Sequence, residues 1–178
     1  SRINGEAVGE LGVRARGKVE RLVFVSSVRA QVGVAAEHVI TEKDPALPTD
    51  DYGRTKLRGE RLLAQSGVPF TVLRPAVVYG KGVKGNIAAL AALAKTPMPL
   101  PFARLTNRRS LLALENLASA VSLALTEAAA ENETYLVADA EPAHEAAHPR
   151  EPEHRAARVV RLGQAVAVQQ DHVTGSER

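Results

Sequence analysis

The sequence predicts an α/β fold built around a parallel sheet. Two apolar, strand-like runs, residues 19–25 and 68–73, flank a helical stretch that begins near Thr49-Asp50 and stops at Gly67. Strand, helix, strand in that order argues for a right-handed βαβ unit. The third observation is a serine pair, Ser26-Ser27, at the end of the first strand. That is where an open α/β sheet places its ligand.

Taken in order, residues 3–16 mix Ala, Leu, Val and Glu at loose helical spacing, and their three glycines make a poor isolated helix. Val19 to Val25 is a near-continuous apolar run, the pattern of a parallel strand buried on both faces. Residues 28–48 read as an irregular loop broken by Asp44-Pro45 and Leu47-Pro48. Thr49 or Asp50 can cap the next helix, which carries Leu57, Leu62 and Leu63 on its apolar face. Val68 to Leu73 is the second strand, and Pro75 breaks it.

Residues 75–86 form a glycine-rich loop, followed by a short helix from Ile87 to Lys95 that the prolines at 97, 99 and 101 stop. A short strand is expected over Ser110–Leu114, an amphipathic helix over Glu115–Ala129 and a last strand over Thr134–Ala138. After Pro142 the composition turns to Ala, Arg, His and Pro with little periodicity. Residues 143–178 therefore read as an irregular, disordered tail behind a domain of 1–142.

Composition excludes several classes. The chain has 178 residues, no cysteine and a formal net charge of +3. It has the length of one domain. There is no disulfide framework or thiolate chemistry. The basic residues are spread out, which argues against a nucleic-acid partner. The histidines of the tail lack ligand-pair spacing, so no metal site is expected. No apolar run nears the ~20 residues of a membrane span, and no signal peptide opens the chain, so a soluble cytoplasmic protein is expected.

The chemistry gathers at Tyr52 and Lys56, a Tyr-x-x-x-Lys pair in the predicted helix. Residues four apart share one helix face, so phenol and ammonium can serve one site. A free phenol, with a pKa of about 10, is a poor base at neutral pH, and a nearby cation favours its phenolate. Such a tyrosine can exchange a proton with an alcohol oxygen during hydride transfer. A lysine can also hold ribose hydroxyls.

Four segments carry a resemblance: VERLVFVSS, DDYGRTKLRGERLL, FTVLRPAVVYGKGVKGN and NRRSLLALENLASAV. In this order they resemble the extended short-chain dehydrogenase/reductase superfamily. Within it, they are most similar to UDP-glucose 4-epimerase-like members of the NAD-dependent epimerase/dehydratase family. The resemblance runs from about Ile3 to Pro142. It implies a Rossmann-like doubly wound parallel sheet, of which this chain supplies the C-terminal part, and part of a small substrate-binding lobe.

It also implies NAD, or NADP, as cofactor and a nucleotide sugar as substrate. The activity implied is C4 epimerisation of a UDP-hexose by transient hydride transfer. Tyr52 would be the catalytic base and Lys56 its partner on the nicotinamide ribose. Ser27 would hydrogen-bond the reacting sugar oxygen, and Asn4, Ser26 and Pro75 would join Tyr52 and Lys56 around the cofactor. Asn86 would contact the substrate's diphosphate region at a helix start, where anions are favoured. Arg109 would pair with the nucleotide diphosphate through its planar fork. Members of the family dimerise through the Tyr-x-x-x-Lys helix and a neighbour, so a homodimer is implied.

The departures from the family pattern are specific. No strand with a Gly-x-x-Gly-x-x-Gly turn precedes these motifs, and the resemblance implies roughly another hundred residues in that mononucleotide-binding half. Gly80, Gly82 and Gly85 follow a different strand, after the Tyr-x-x-x-Lys pair, and are not that turn. Val28-Arg29 stands where a dehydratase would carry an acidic pair, which disfavours dehydration. Two alternatives stand beside the epimerase. One is another nucleotide-sugar reductase or dehydratase of the superfamily. The other is an inactive fragment, or a binding module that keeps this half of the site.

Overall fold

The computed structural model describes residues 5–33, 38–80, 108–139 and 143–144. The helix expected over Ile87–Lys95 and the tail beyond His144 lie outside the described residues.

Helix α1 (Glu6–Ala15) leads into strand β1 (Leu22–Val25), the four-residue helix α2 (Arg29–Val32) and helix α3 (Asp51–Gln65). Strands β2 (Phe70–Pro75) and β3 (Val77–Tyr79) follow, then β4 (Arg108–Arg109), β5 (Leu111–Ala113) and helix α4 (Leu114–Thr126). A 3-10 turn at Ala128–Ala130, β6 (Glu133–Val137) and β7 (Ala143–His144) complete the described elements.

The main sheet is parallel throughout, in the order β1-β2-β6. Leu22 lies opposite Phe70, and Thr71 opposite Glu133. Side chains alternate between faces along a strand, and the sheet is covered accordingly. Leu22, Phe24 and Phe70 pack with Ala15 of α1 and Leu63 of α3. Val23 and Leu73 pack with Ala120 and Ala124 of α4. Helices on both faces of a parallel sheet make the doubly wound arrangement that the family resemblance implies. Two small ladders lie beside it: β3 with β5, parallel, and β4 with β7, antiparallel. The second ladder takes hydrogen-bonded structure two residues past the boundary drawn at Pro142.

Three elements, β1, α2 and β3, differ from expectation, and β3 (Val77–Tyr79) forms within the stretch expected as a glycine-rich loop. β1 is shorter than Val19–Val25, because its first ladder bond runs from the Leu22 N–H to the Pro69 carbonyl. It is also half-exposed rather than buried on both faces, since among the described residues β1 pairs on one side only, with β2. The loop expected over 28–48 contains α2, which has no side-chain cap and is too short to show periodicity.

The glycines that weaken α1 as an isolated helix are its packing surface. A Cβ on Gly9 would stand 2.7 Å from Leu62 Cβ, and one on Gly12 2.7 Å from Ser66 Cβ. The two helices touch where side chains are missing. This contact sets α3, with its Tyr52 and Lys56, against the sheet.

Candidate active site

Helix α3 begins where Asp50 caps it: one carboxylate oxygen accepts the Gly53 N–H at 2.9 Å. Asp50 also holds Arg29 of α2, with Nε at 3.1 Å from one oxygen and Nη2 at 2.9 Å from the other. The Gly53 N–H, supported by the Arg29 guanidinium, holds the Asp50 carboxyl below the ordinary carboxylate range. Gly53 has no room for a side chain because the Arg29 carbonyl lies against it. α2 is thereby pressed onto the first turn of α3.

Tyr52 sits in that first turn and is 43% exposed, so its phenol is open to a ligand. Two cations flank its ring: the Arg29 guanidinium carbon at 5.2 Å from the centroid and Lys56 Nζ at 5.9 Å. Lys56 is half-buried. Its Nζ lies 5.0 Å from the Phe24 ring centroid and donates to the Val25 carbonyl at 3.0 Å. Burial pushes the Lys56 ammonium below its ordinary pKa, and the Glu60 carboxylate works against that shift. Tyr52 and Lys56 thus share one face of α3, as their four-residue spacing predicts, and Lys56 reaches the C-terminal end of β1.

The two serines part company. Ser26 continues the alternation of Leu22 and Phe24 toward α3, is buried, and donates its hydroxyl to Glu60 Oε1. Its N–H bonds the Leu73 carbonyl at 2.7 Å, tying the strand end to β2. Ser27 is half-exposed, and its hydroxyl oxygen accepts the Arg29 N–H at 3.3 Å. Pro75 is buried at the C-terminal end of β2, and its carbonyl accepts the Val28 N–H at 3.0 Å. Ser26, Ser27 and Pro75 therefore gather at the same ends of β1 and β2 as Lys56. The backbone of Arg109 pairs with Ala143. Asn4 and Asn86 lie outside the described residues.

Sequence reasoning missed the polar groups beneath this site. Arg74 and Glu60 form a buried, two-pronged ion pair, and Gln31 joins it. A signal was present. Glu60 is four residues from Lys56 and shares its helix face. Arg74 has the parity of Phe70 and Val72, on a face of β2 that is otherwise apolar.

A second cluster lies at the end of β6. The Asp139 carboxylate accepts from the Tyr79 hydroxyl at 3.0 Å, from Asn116 Nδ2 at 2.7 Å and from the Ala113 N–H at 3.1 Å. Burial, then the Asp139 charge, pushes the Tyr79 phenol above its ordinary pKa. Among the described residues, no group of three or more His, Cys, Asp or Glu is gathered so that it could hold a metal ion. No helix of the described residues is long and apolar enough to cross a membrane.

The exposed Tyr52 phenol and the two N–H donors that Lys56 has left beside its bond to the Val25 carbonyl suit the hydroxyls of a ribose. The groups for a pyrophosphate turn are not in this sequence.

The description NAD dependent epimerase/dehydratase family fits residues 7–138. A UDP-glucose 4-epimerase of Vibrio cholerae is 35% identical over 127 residues, which is 68% of this chain and 39% of that protein. A UDP-glucuronic acid 4-epimerase from Bacillus cereus, solved with NAD, superposes with a TM-score of 0.68 at 21% identity. The match covers 79% of this chain and 48% of that one. MoeE5, solved with UDP-glucose and NAD, superposes with a TM-score of 0.65 at 24% identity, over 79% of this chain and 50% of that one. The chain spans about half the length, or less, of these relatives.

Proposed function

The chain belongs to the NAD dependent epimerase/dehydratase family, and from that premise we propose that it carries the proton-transfer half of a nucleotide-sugar epimerase acting at C4 of a UDP-hexose. The observation that carries this reading is the placement of Tyr52 and Lys56 on one face of α3, with Lys56 at the C-terminal end of β1 and the phenol open to solvent.

NAD, when bound, would supply a hydride acceptor that becomes a hydride donor. The residues of this chain do the rest. Tyr52 takes the proton from the sugar hydroxyl as the hydride leaves, and gives it back when the hydride returns to the other face, so the reaction is redox-neutral. Lys56 keeps a positive charge beside the phenol and offers its free N–H donors to the nicotinamide ribose. Ser27 would hydrogen-bond the sugar oxygen in both its alcohol and ketone forms, since a hydroxyl can donate or accept, and its half-exposed hydroxyl at the same strand end supports that role. Ser26 is committed to Glu60, so it shapes the cofactor's surroundings through the strand end rather than by a free hydroxyl. Arg109 and Asn86 are proposed to hold the diphosphate of the substrate.

The experiment is thermal unfolding of the chain with and without NAD, UDP-glucose and UDP-glucuronic acid. A ligand that binds only the folded state stabilises it by about 2.7 kcal/mol at one hundred times its Kd. NAD is expected to raise the midpoint, and Tyr52→Phe/Lys56→Ala to abolish the rise. A chain that unfolds cooperatively and ignores NAD would overturn the reading. Where turnover is measurable, Tyr52→Phe lowers kcat by about 10²- to 10⁴-fold, the usual worth of a general base. Comparison of the two sugar nucleotides identifies the one this site prefers.

A further inference from the structure

Beneath Tyr52 and Lys56 lies a charged pair that the proton transfer does not use. Glu60 is 6% exposed and Arg74 8%. Arg74 Nε donates to Glu60 Oε1 at 3.1 Å and Nη2 donates to Oε2 at 2.6 Å. Arg74 Nη1 donates to Oε1 of the fully buried Gln31 at 2.9 Å. Gln31 Nε2 in turn donates to the carbonyls of Thr41 at 2.6 Å and Asp44 at 3.0 Å. Glu60 Oε1 also accepts the hydroxyl of Ser26. The network therefore ties together the end of β1, α2, α3, β2 and the 41–44 segment.

Stability alone does not account for it. A buried ion pair gives little or nothing over apolar side chains of the same volume, because desolvation offsets the attraction. Its position is more telling. Lys56 and Glu60 follow one another on a single face of α3. Lys56 holds the Val25 carbonyl, and Glu60 holds the adjacent Ser26 hydroxyl. The two side chains grip consecutive residues where the chain leaves β1. Arg74 orients the Glu60 carboxylate, and Gln31 orients Arg74.

We propose that Glu60, oriented by Arg74, is a positioning residue for Lys56: it locks the end of β1 to α3 so that the ammonium, Tyr52 and the Ser26-Ser27 corner keep one fixed geometry. The inference rests on the functional reading above, which gives Lys56 its task. The electrostatics agree with the geometry. Lys56 faces Tyr52 and Glu60 from its own helix, and the Phe24 ring and Val25 carbonyl from β1. Arg29 of α2 lies across the Tyr52 ring, and Arg74 of β2 stands behind Glu60. Of these charges, Glu60 is the one that sustains the Lys56 ammonium against burial.

The test reads Lys56 directly by NMR of its side-chain amine and adjacent methylene across a pH titration, in the chain without cofactor. Lys56→Arg identifies the signal among the six lysines. Glu60→Gln/Arg74→Met removes both buried charges, so neither is left alone in the core. In that variant the Lys56 midpoint falls and the rise in unfolding temperature with NAD shrinks. Arg61→Gln, which removes an exposed charge from the same helix, leaves both in place. Ser26→Ala keeps the ion pair and releases only the grip on β1, and in it the Lys56 signals shift. Should the double variant fail to fold, Ser26→Ala decides the matter alone. A folded double variant with an unmoved Lys56 midpoint, or Ser26→Ala with unmoved Lys56 signals, overturns the proposal. A wild-type chain that ignores NAD overturns the functional reading instead, and the Lys56 titration still decides this one.

Discussion

At the scale of the residue, Tyr79 shows how one side chain makes stability depend on pH. Its phenol is raised above 10 by burial and by Asp139. The folded state therefore binds this proton more tightly than the unfolded chain does. The stabilising contribution is full below the unfolded value of about 10 and is lost as pH rises through the raised folded value. Urea unfolding between pH 9 and 11.5 is expected to show a steeper alkaline loss of stability in the wild type than in Tyr79→Phe. Equal slopes would mean that the Tyr79–Asp139 bond is not held in solution. Arg21 teaches a different lesson. Its Nη1 donates to the carbonyls of Ala124 at 2.7 Å and Glu127 at 2.6 Å, and so satisfies the C-terminal end of α4 from more than a hundred residues away. Hydrogen bonds from charged groups are worth about 1.5–3 kcal/mol each in net terms. Arg21→Met should therefore destabilise the fold by about 2–3 kcal/mol in chemical denaturation; a change under ~0.5 kcal/mol would show the cap to be idle.

At the scale of the element, the contact between α1 and α3 rests on absent side chains. Gly9→Ala adds about 0.5–1 kcal/mol of helix propensity. It also places a methyl 2.7 Å from Leu62 Cβ, which is backbone-near and cannot swing away. Overpacking of this kind costs about 1–3 kcal/mol, so the packing term wins and the variant is less stable. A more stable Gly9→Ala, measured by urea unfolding, would mean that α1 is free to slide on α3. The same elements show what local signals carry. α3 is legible because Asp50 caps its start, Gly67 adopts a positive φ of 76° past its end, and leucines mark its buried face. α2 is not, because four residues without a capping side chain leave no periodic trace. Its location is set by contact: the Arg29 carbonyl against Gly53, and the Arg29–Asp50 pair.

At the scale of the whole molecule, β2 is the centre. It pairs with β1 on one side and β6 on the other, and Thr71 to Pro75 are all buried. Regions with the most buried contacts open last. The amides of β2 are expected to show the slowest hydrogen exchange in the chain, and those of β1 to exchange faster; the reverse order would contradict the sheet order found here. β1, β2, β5 and β6, the long helices, the parallel sheet and the shared helix face of Tyr52 and Lys56 were determined by the sequence by itself, because each leaves a mark within a few residues: alternation, a four-residue step, a cap, a breaker; the short strands β3, β4 and β7 leave none and were not. Which serine faces α3, where α2 lies and what stands beneath Lys56 were decided only by the tertiary structure. Ser26, Glu60, Arg74 and Gln31 come from four elements, and Gln31 is 43 residues from Arg74. Each is a polar residue that local rules assign to the surface. They are buried because each supplies the hydrogen bonds that the others lose on leaving water, and that compensation exists only when the chain has brought all four together.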